Sequence, residues 1–205
     1  MNDQTIKIET IKKYLGSGSV NIFGLPFSGK DTHGKEIAAM LGAPLIGGGE
    51  ILRSKKVPQH VTDAINKGHM APTEDYVGIV LPYLAQEKYN GKPLVLSSVG
   101  RWIGEEKSVL EATESAGHPI MCVILLNITK DVVWERWTNN KRQRHDDNAQ
   151  HILEKRFSEF EEKTLPVIEE YRKMGLLLEI DGIPSKEIVT EDIIDRLYEV
   201  ASKKS

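Results

Sequence analysis

The chain has 205 residues, of which 40% are hydrophobic and 28% are charged. This length suits a single domain with a sizeable core, and the apolar content excludes wholesale disorder. The formal net charge of −3 argues against a nucleic-acid partner, and no stretch approaches the roughly 18 apolar residues that a transmembrane helix requires. The polar N-terminus lacks a signal-peptide core, so we expect a cytoplasmic protein with no membrane partner.

Helices and strands alternate along the chain. The first fifteen residues have a weak helical face and end at a Gly-Ser break. The predicted strands are 20–24, 44–46, 93–97, 121–126 and 176–180. The predicted helices are 30–41, 50–55, 59–67, 73–86, 105–116, one that begins at 131, 149–174 with a break near Pro166, and 186–201. Because the strands are uninterrupted apolar runs, the pattern predicts an α/β fold with a parallel sheet covered on both faces.

The most specific motif lies between the first strand and the helix that follows it. Its sequence is Gly24-Leu-Pro-Phe-Ser-Gly-Lys30-Asp-Thr32. Small residues let backbone N–H groups turn towards phosphate oxygens, and the helix N-terminus favours anions. The expected ATP-binding residues are Gly24, Pro26, Ser28, Gly29, Lys30, Asp31 and Thr32. The strict phosphate-loop pattern has Ser or Thr directly after the lysine, where this chain has Asp31. The motif alone therefore predicts phosphate binding without identifying the branch.

This loop resembles that of the adenylate kinase family, in which the threonine also comes second after the lysine. Further segments are similar to family motifs in the same order along the chain. They are Ile46-Gly-Gly-Gly-Glu-Ile-Leu-Arg53, Leu94-Val-Leu-Ser-Ser-Val-Gly-Arg101, Arg144-His-Asp-Asp147 with Arg156 and Thr164-Leu-Pro166, and Ile180-Asp-Gly182. The resemblance runs from about residue 20 to the C-terminus, and the order of the motifs makes it specific.

The resemblance implies one P-loop kinase domain over residues 1–205, with a five-stranded parallel sheet. It also implies an N-terminal extension at 1–19, a helical monophosphate-binding lobe at about 48–78 and a short lid at about 136–147. With one cysteine, such a lid lacks the ligands of the four-cysteine zinc site found in some relatives. We therefore expect Mg²⁺ with ATP, no zinc, and a monomer.

The implied function is transfer of the γ-phosphate of ATP to a nucleoside monophosphate, with AMP as the first expectation. Phosphoryl transfer needs alignment and charge compensation, and the planar fork of arginine binds phosphate bidentately. By family position, Arg53 and Arg101 hold the acceptor phosphate, Arg144 and Arg156 bridge the two phosphates, and Arg136 lies near the donor. The implied catalytic residues are Lys30, Arg101, Arg144 and Arg156. The implied acceptor-binding residues are Gly48, Arg53, Met70, Arg101, Glu105, Arg144 and Arg156.

Three departures from the family pattern concern phosphate and metal binding. Ser97 stands where the family usually has an acidic residue near Mg²⁺, so Asp31 is expected to supply the carboxylate, with Thr32 as the other metal-side residue. Gly100 replaces the proline before the clamping arginine. Phe27 replaces a glycine of the loop and would crowd the phosphates unless its side chain points away.

The acceptor base is left open by Glu105, which matches the family's adenine-reading glutamine. An ionised glutamate only accepts hydrogen bonds, so the two donors of guanine would suit it better than the edge of adenine. Gly48, where the family usually has threonine, is expected to open the pocket. GMP, UMP, CMP and a deoxynucleotide therefore stay open beside AMP.

Two other functions also stay open. They are a P-loop kinase with a non-nucleotide acceptor, and a nucleotide-binding sensor that has lost phosphoryl transfer. The basic cluster Lys141, Arg142 and Arg144 is interpreted as part of a phosphate-gripping lid rather than as a nucleic-acid patch. Asp146 and Asp147 are interpreted as lid-closing partners of arginines or as an acidic pair at a helix start.

Overall fold

The computed structural model describes residues 3–54, 56–139 and 149–204. Five strands form one parallel sheet in the order β2-β3-β1-β4-β5. The strands are β1 (Ser19–Gly24), β2 (Leu45–Gly47), β3 (Leu94–Ser97), β4 (Ile120–Asn127) and β5 (Leu177–Asp181). The predicted α/β fold with a five-stranded parallel sheet is confirmed.

Ten α-helices flank or extend this sheet within the described residues. They are α1 (Asp3–Leu15), α2 (Lys30–Leu41), α3 (Gly48–Ser54), α4 (Gln59–Asn66), α5 (Thr73–Leu84), α6 (Glu105–Ser115), α7 (Lys130–Asn139), α8 (Gln150–Glu159), α9 (Leu165–Lys173) and α10 (Lys186–Lys204). Helix α3 begins two residues before its predicted start, because two glycines form its first positions. Within the described residues, no helix combines the length and apolar character that a bilayer crossing needs.

The long helical pattern before β5 is interrupted by one wide turn. The residues Phe160–Thr164 form a π-helical turn between α8 and α9. Pro166, in the first turn of α9, has no N–H for the carbonyl four residues earlier, so regular α-helical bonding is interrupted ahead of it. The predicted break near Pro166 therefore takes the form of a widened turn rather than a chain reversal.

Successive residues of a strand belong alternately to two hydrophobic clusters, one on each face of the sheet. Leu94 and Leu96 of β3 belong to one cluster, and Val95 between them belongs to the other. This alternation follows from the two-residue period of a strand. Helix α1 packs against α2 and α10 in the second cluster, where Ile11 and Leu15 are buried. Helix α1 therefore shares the core of the sheet.

The carboxyl ends of the central strands form the edge at which the motifs meet. Strand β1 lies between β3 and β4, and Ile22 of β1 pairs with Ser97 of β3. The side chain of Asn21 donates to the Val99 carbonyl at 2.7 Å and accepts from its N–H at 3.2 Å. The segment that leads to Arg101 is thereby fixed to β1. Ligands of open parallel sheets bind at this kind of edge, where neighbouring connections diverge.

Candidate functional site

The loop of residues 24–30 joins β1 to the first residue of α2. A Cβ atom at Gly24 would collide with the Ser28 hydroxyl, so only glycine fits there. Gly29 has φ +93°, a left-handed conformation that glycine adopts without steric cost. The Ser28 N–H donates to the Leu25 carbonyl at 3.1 Å. The loop is therefore a compact backbone turn that opens directly onto a helix N-terminus, which is a favourable place for an anion.

The side chain of Phe27, a residue of this loop, points away from the face of the loop that is expected to bind phosphate. The residue has φ +61°, and its side chain, 4% exposed, packs into a separate hydrophobic cluster. The other buried members of that cluster are Val133, Leu153 and Phe157. The aromatic ring thus points towards α7 and α8, and the crowding that the sequence raised as a concern does not arise.

Arg136 connects the loop to the chain after β5. Its Nη1 donates to the Phe27 carbonyl at 3.1 Å, and its Nη2 donates to the Gly182 carbonyl at 2.8 Å. The guanidinium therefore holds the backbone of both segments together. This position is compatible with its predicted place near the donor, and it adds a structural role.

Asp31 and Ser97 meet beside Lys30 at the sheet edge. The Ser97 hydroxyl donates to Asp31 Oδ1 at 2.8 Å, and all three residues line the same cavity. Carboxylate and hydroxyl oxygens are hard ligands of the kind that Mg²⁺ prefers. The ion keeps several waters when it is bound with a nucleotide. The pair therefore fits the metal role predicted for Asp31. Thr32, predicted with it, is exposed on α2. The described residues hold no group of three or more acidic, histidine or cysteine side chains for a metal.

Five of the residues predicted to bind the acceptor line one cavity of about 330 Å³. They are Arg53, Met70, Arg101, Glu105 and Arg156. The same cavity reaches Lys30 and Asp31 of the donor loop. Arg144, Asp146 and Asp147 lie outside the described residues, as do Lys141 and Arg142, so their parts in a lid stay predictions.

Gly48 does not open this cavity, contrary to expectation. A Cβ atom there would collide with the hydroxyl of Tyr76, a buried residue of α5 that takes up the space. That hydroxyl accepts the Gly100 N–H at 3.0 Å, and Gly100 has φ +73°. Proline has neither an N–H nor access to positive φ. The glycines at 48 and 100 therefore form one arrangement with Tyr76, a residue that the sequence did not single out.

Two arginines among the cationic residues of the cavity, Arg101 and Arg156, influence each other. Enclosure lowers the pKa of the Arg101 guanidinium to about 10, and the charge of Arg156 acts in the same direction. Arg101 nevertheless carries its charge at neutral pH. Two arginines held close together gain most from a ligand with more than one negative charge, and a phosphate monoester is such a ligand.

Glu105, the first residue of α6, has one oxygen committed to the protein backbone. Oε2 accepts the N–H groups of Arg101 at 2.7 Å and Trp102 at 2.9 Å. Oε1 is buried and forms no hydrogen bond among the described residues, although the Thr73 hydroxyl lies near enough to lower the pKa of the carboxyl. Burial outweighs these donors and raises the pKa of Glu105. One carboxylate oxygen at most is therefore left for a ligand, whereas the sequence argument for guanine used both.

Trp102 borders the cavity that Arg101 and Glu105 line, whereas the other two tryptophans pack elsewhere. Its ring N–H donates to the Ala71 carbonyl at 2.9 Å, which fixes the ring at the cavity wall. Trp134 and Trp137 contact each other edge to face in α7. Trp134 and Trp137 therefore pack against the cluster that contains Phe27, whereas Trp102 lines the cavity.

Comparison with known proteins connects this geometry to one family. A family model described as adenylate kinase matches residues 22–176. The chain is similar to adenylate kinase from Azobacteroides pseudotrichonymphae, with 30% identity over 87% of this chain and 96% of the relative. It is 28% identical to the adenylate kinase of Kosmotoga olearia, over 87% and 98% of the two chains. The adenylate kinase of Bacillus subtilis is 26% identical, over 86% and 96%.

Proposed function

Because the chain belongs to the adenylate kinase family, we propose that it transfers the γ-phosphate of ATP to AMP and so forms two molecules of ADP. Family membership makes the chain an ATP-dependent phosphotransferase and a nucleoside monophosphate kinase. The choice of AMP is the finer proposal. The observation that carries the phosphate transfer is the shared cavity, which Lys30 of the loop lines together with Arg101 and Arg156.

Each group has a role in the transfer. A phosphate oxygen of AMP attacks the γ-phosphorus as the bond to the bridging oxygen of ADP breaks. No proton has to be abstracted, because the acceptor phosphate is already ionised at neutral pH. Lys30 and the loop N–H groups stabilise charge on the donor phosphates, and Arg101 and Arg156 align the acceptor. The predicted lid, with Arg144, would exclude water from the reacting phosphates.

Magnesium enters as part of the nucleotide substrate. Bound to ATP, Mg²⁺ would neutralise part of the charge on the phosphates. Asp31 and Ser97 are the residues that we propose to hold it, through one carboxylate and one hydroxyl joined by a hydrogen bond. Asp31→Asn should therefore raise the magnesium concentration needed for half-maximal rate, whereas an unchanged magnesium dependence would remove Asp31 from this role.

The Glu105 oxygen that accepts no backbone N–H supports AMP as the nucleotide that receives the phosphate. One acceptor atom suffices for the exocyclic amino group of adenine, and a hydrogen bond to an ionised group is among the stronger ones. The same oxygen also suits the N1–H of guanine, so GMP is the second candidate. A nucleotide with neither donor on that edge, such as purine riboside 5′-monophosphate, should be a poor acceptor.

The experiment is a coupled assay of ADP release with Mg-ATP and a panel of AMP, GMP, UMP, CMP and dTMP. We expect the highest kcat/KM with AMP and loss of turnover in Lys30→Ala. Turnover with another monophosphate alone would replace AMP by that acceptor. ATP binding without any turnover would support a sensor that has lost the transfer reaction.

A second arm uses Glu105→Gln to separate adenine from guanine. The amide oxygen would keep the two backbone N–H partners, so the amide NH₂ would enter the cavity and face the base. Adenine N1 can accept a hydrogen bond from this NH₂ group. The N1–H of guanine is itself a donor and cannot pair with it. We therefore expect kcat/KM for GMP to fall about tenfold or more relative to AMP, since mismatched buried donors are costly. The reverse order would contradict the adenine assignment.

A further inference from the structure

One wall of the acceptor cavity is a short connection between two lobe helices. Residues 67–72 join α4 to α5, and four of them, from Gly68 to Ala71, line the cavity. A Cβ atom at Gly68 would lie 3.0 Å from the backbone oxygen of Ile152. The connection therefore passes directly against α8, the helix that carries Arg156. The lobe and the arginine-bearing helix meet at this contact.

Glu159, the last residue of α8, lies in that contact. Its side chain is 2% exposed, and Oε1 is 3.2 Å from His69 Nδ1. Oε2 accepts the Met70 N–H at 3.4 Å, and Lys163 Nζ donates to the two oxygens at 3.0 and 2.8 Å. Burial alone would raise the pKa of Glu159, but the donors from Lys163 and His69 lower it further than burial raises it. The carboxylate is therefore ionised and binds the connection to α8.

Neighbouring residues of the π-helical turn reinforce the same contact. Lys163 Nζ lies 3.8 Å from the centre of the Trp102 ring, and Trp102 in turn donates to the Ala71 carbonyl. The hydroxyl of Thr164 is 4.0 Å from the sulfur of Met70. Wide helical turns of this kind are frequent at functional sites. All of these contacts link the end of α8 to the wall of the acceptor cavity.

Glu159 also acts electrostatically on the arginine pair. Arg156 lies three residues before it, on the same side of α8. The negative charge of Glu159 raises the pKa of Arg101, in opposition to the effect of Arg156. A carboxylate here therefore offsets part of the repulsion between the two cations before an acceptor phosphate arrives.

We propose that Glu159 is a positioning residue for the acceptor phosphate, which clamps residues 68–71 to α8 and so fixes the cavity wall relative to Arg101 and Arg156. The residue acts through its neighbours and does not contact the substrate. The inference rests on the proposed function as far as the acceptor is concerned, whereas the clamp itself is testable without any turnover.

The first test measures the clamp by hydrogen–deuterium exchange of the free protein. Glu159→Gln keeps the side-chain shape but removes the charge, so the Met70 N–H and its neighbours should exchange faster. We expect the increase in the peptide that covers residues 67–72, with no change in the strands. Glu161→Gln is the matched control, because Glu161 is an exposed residue of the adjoining π-helical turn, paired with Lys130 at 2.7 Å. Equal exchange in wild type and Glu159→Gln would overturn the clamp.

The second test measures the consequence for each substrate. We expect Glu159→Gln to raise KM for the acceptor about tenfold, the range associated with one hydrogen bond to a charged group, with KM for ATP changed less than about twofold. Glu159→Asp keeps the charge near Arg101 but shortens its reach. A defect as large as that of Glu159→Gln would identify the clamp as the important contribution. Full activity in Glu159→Asp would overturn the clamp in favour of charge alone.

The two proposals fail in different ways. If the wild-type protein shows no turnover with any monophosphate, the proposed function fails, and the exchange experiment still decides on the clamp. If turnover is normal but Glu159→Gln changes KM for both substrates equally, or changes neither, the positioning role fails. If Glu159→Gln does not fold, Lys163→Met takes its place. This substitution removes the main partner of Glu159 at a partly exposed site. It must then raise KM for the nucleotide acceptor and leave KM for ATP nearly unchanged.

Discussion

The two regions that we propose to bind phosphate, the donor loop and the acceptor cavity, are built in different ways. The donor loop is one continuous stretch between β1 and α2, and its turn comes from the backbone and from glycines at special positions. Arg136 and the packing of Phe27 attach this turn to the rest of the fold. The acceptor cavity is assembled from α3, the connection 67–72, the start of α6 and the end of α8. Its parts are held by side-chain contacts between distant residues, such as Tyr76 with Gly100 and Glu159 with Met70. The donor site is therefore a local structure, and the acceptor site is a tertiary one.

The largest expected effect comes from removing a cation of the acceptor cavity. Arg101→Met should lower kcat/KM for AMP by about 10²–10³-fold, the usual loss when one preorganised charge partner is removed. Its thermal stability should not fall, because an enclosed guanidinium is costly without an anion and methionine fills similar space. Rate assays and thermal denaturation check both parts. Arg196→Met, which removes a surface arginine of α10 paired with Glu199, is the control and should leave both quantities unchanged.

The next effect concerns the donor loop and its one unusual residue. Phe27→Ala should lower the free energy of unfolding by about 3 kcal/mol, because a buried ring is lost from the cluster with α7 and α8. Phe27→Gly should be less harmful than Phe27→Ala, since glycine removes the strain of φ +61°. Glycine inside a helix or strand is usually more destabilising than alanine, so the expected order of the two free energies of unfolding is reversed at position 27. Chemical denaturation of the three proteins measures it, and a more harmful glycine would contradict the strained conformation.

The donor loop is easier to predict from the sequence than the acceptor cavity, because the loop is contiguous in the chain and the cavity is assembled from distant segments. The loop was recognisable because its glycines, Lys30 and Asp31 are contiguous and follow a strand. Arg101 and Glu105 were found through a motif of the same kind. The roles of Tyr76 and Glu159 could not be predicted, because their partners lie 24 and 89 residues away. The absence of a side chain at Gly48 signalled an open pocket, and only the fold shows that Tyr76 fills it.

A smaller effect should test the long-range contact that closes the acceptor cavity. Gly48→Ala should destabilise the fold by about 1–3 kcal/mol, the common cost of an added methyl group in a packed site, because the new Cβ atom collides with the Tyr76 hydroxyl. Adding Tyr76→Phe should recover part of this loss, although that change alone leaves the Gly100 N–H without its acceptor. Denaturation of the two single variants and the double variant gives the coupling. Strict additivity would show that the two residues do not interact.

The smallest effect is a gain in stability within the lobe. Gly78 is an exposed residue inside α5, and an added Cβ atom there would contact nothing within 4 Å. Gly78→Ala should raise the free energy of unfolding by about 0.5–1 kcal/mol, because alanine loses less backbone entropy in a helix. Activity with AMP should stay unchanged. A drop in activity would indicate that the lobe needs this glycine for movement, which the static geometry does not require.

The most direct test of the two-site account is isothermal titration calorimetry with each nucleotide alone. The wild-type protein, Lys30→Ala and Arg101→Met would each be titrated with Mg-ATP and, separately, with AMP. We expect Lys30→Ala to weaken ATP binding and leave AMP binding within about twofold, and Arg101→Met to do the reverse, because each phosphate contact belongs to one site. If either variant weakened both nucleotides equally, the separation into a local donor site and a tertiary acceptor site would be wrong.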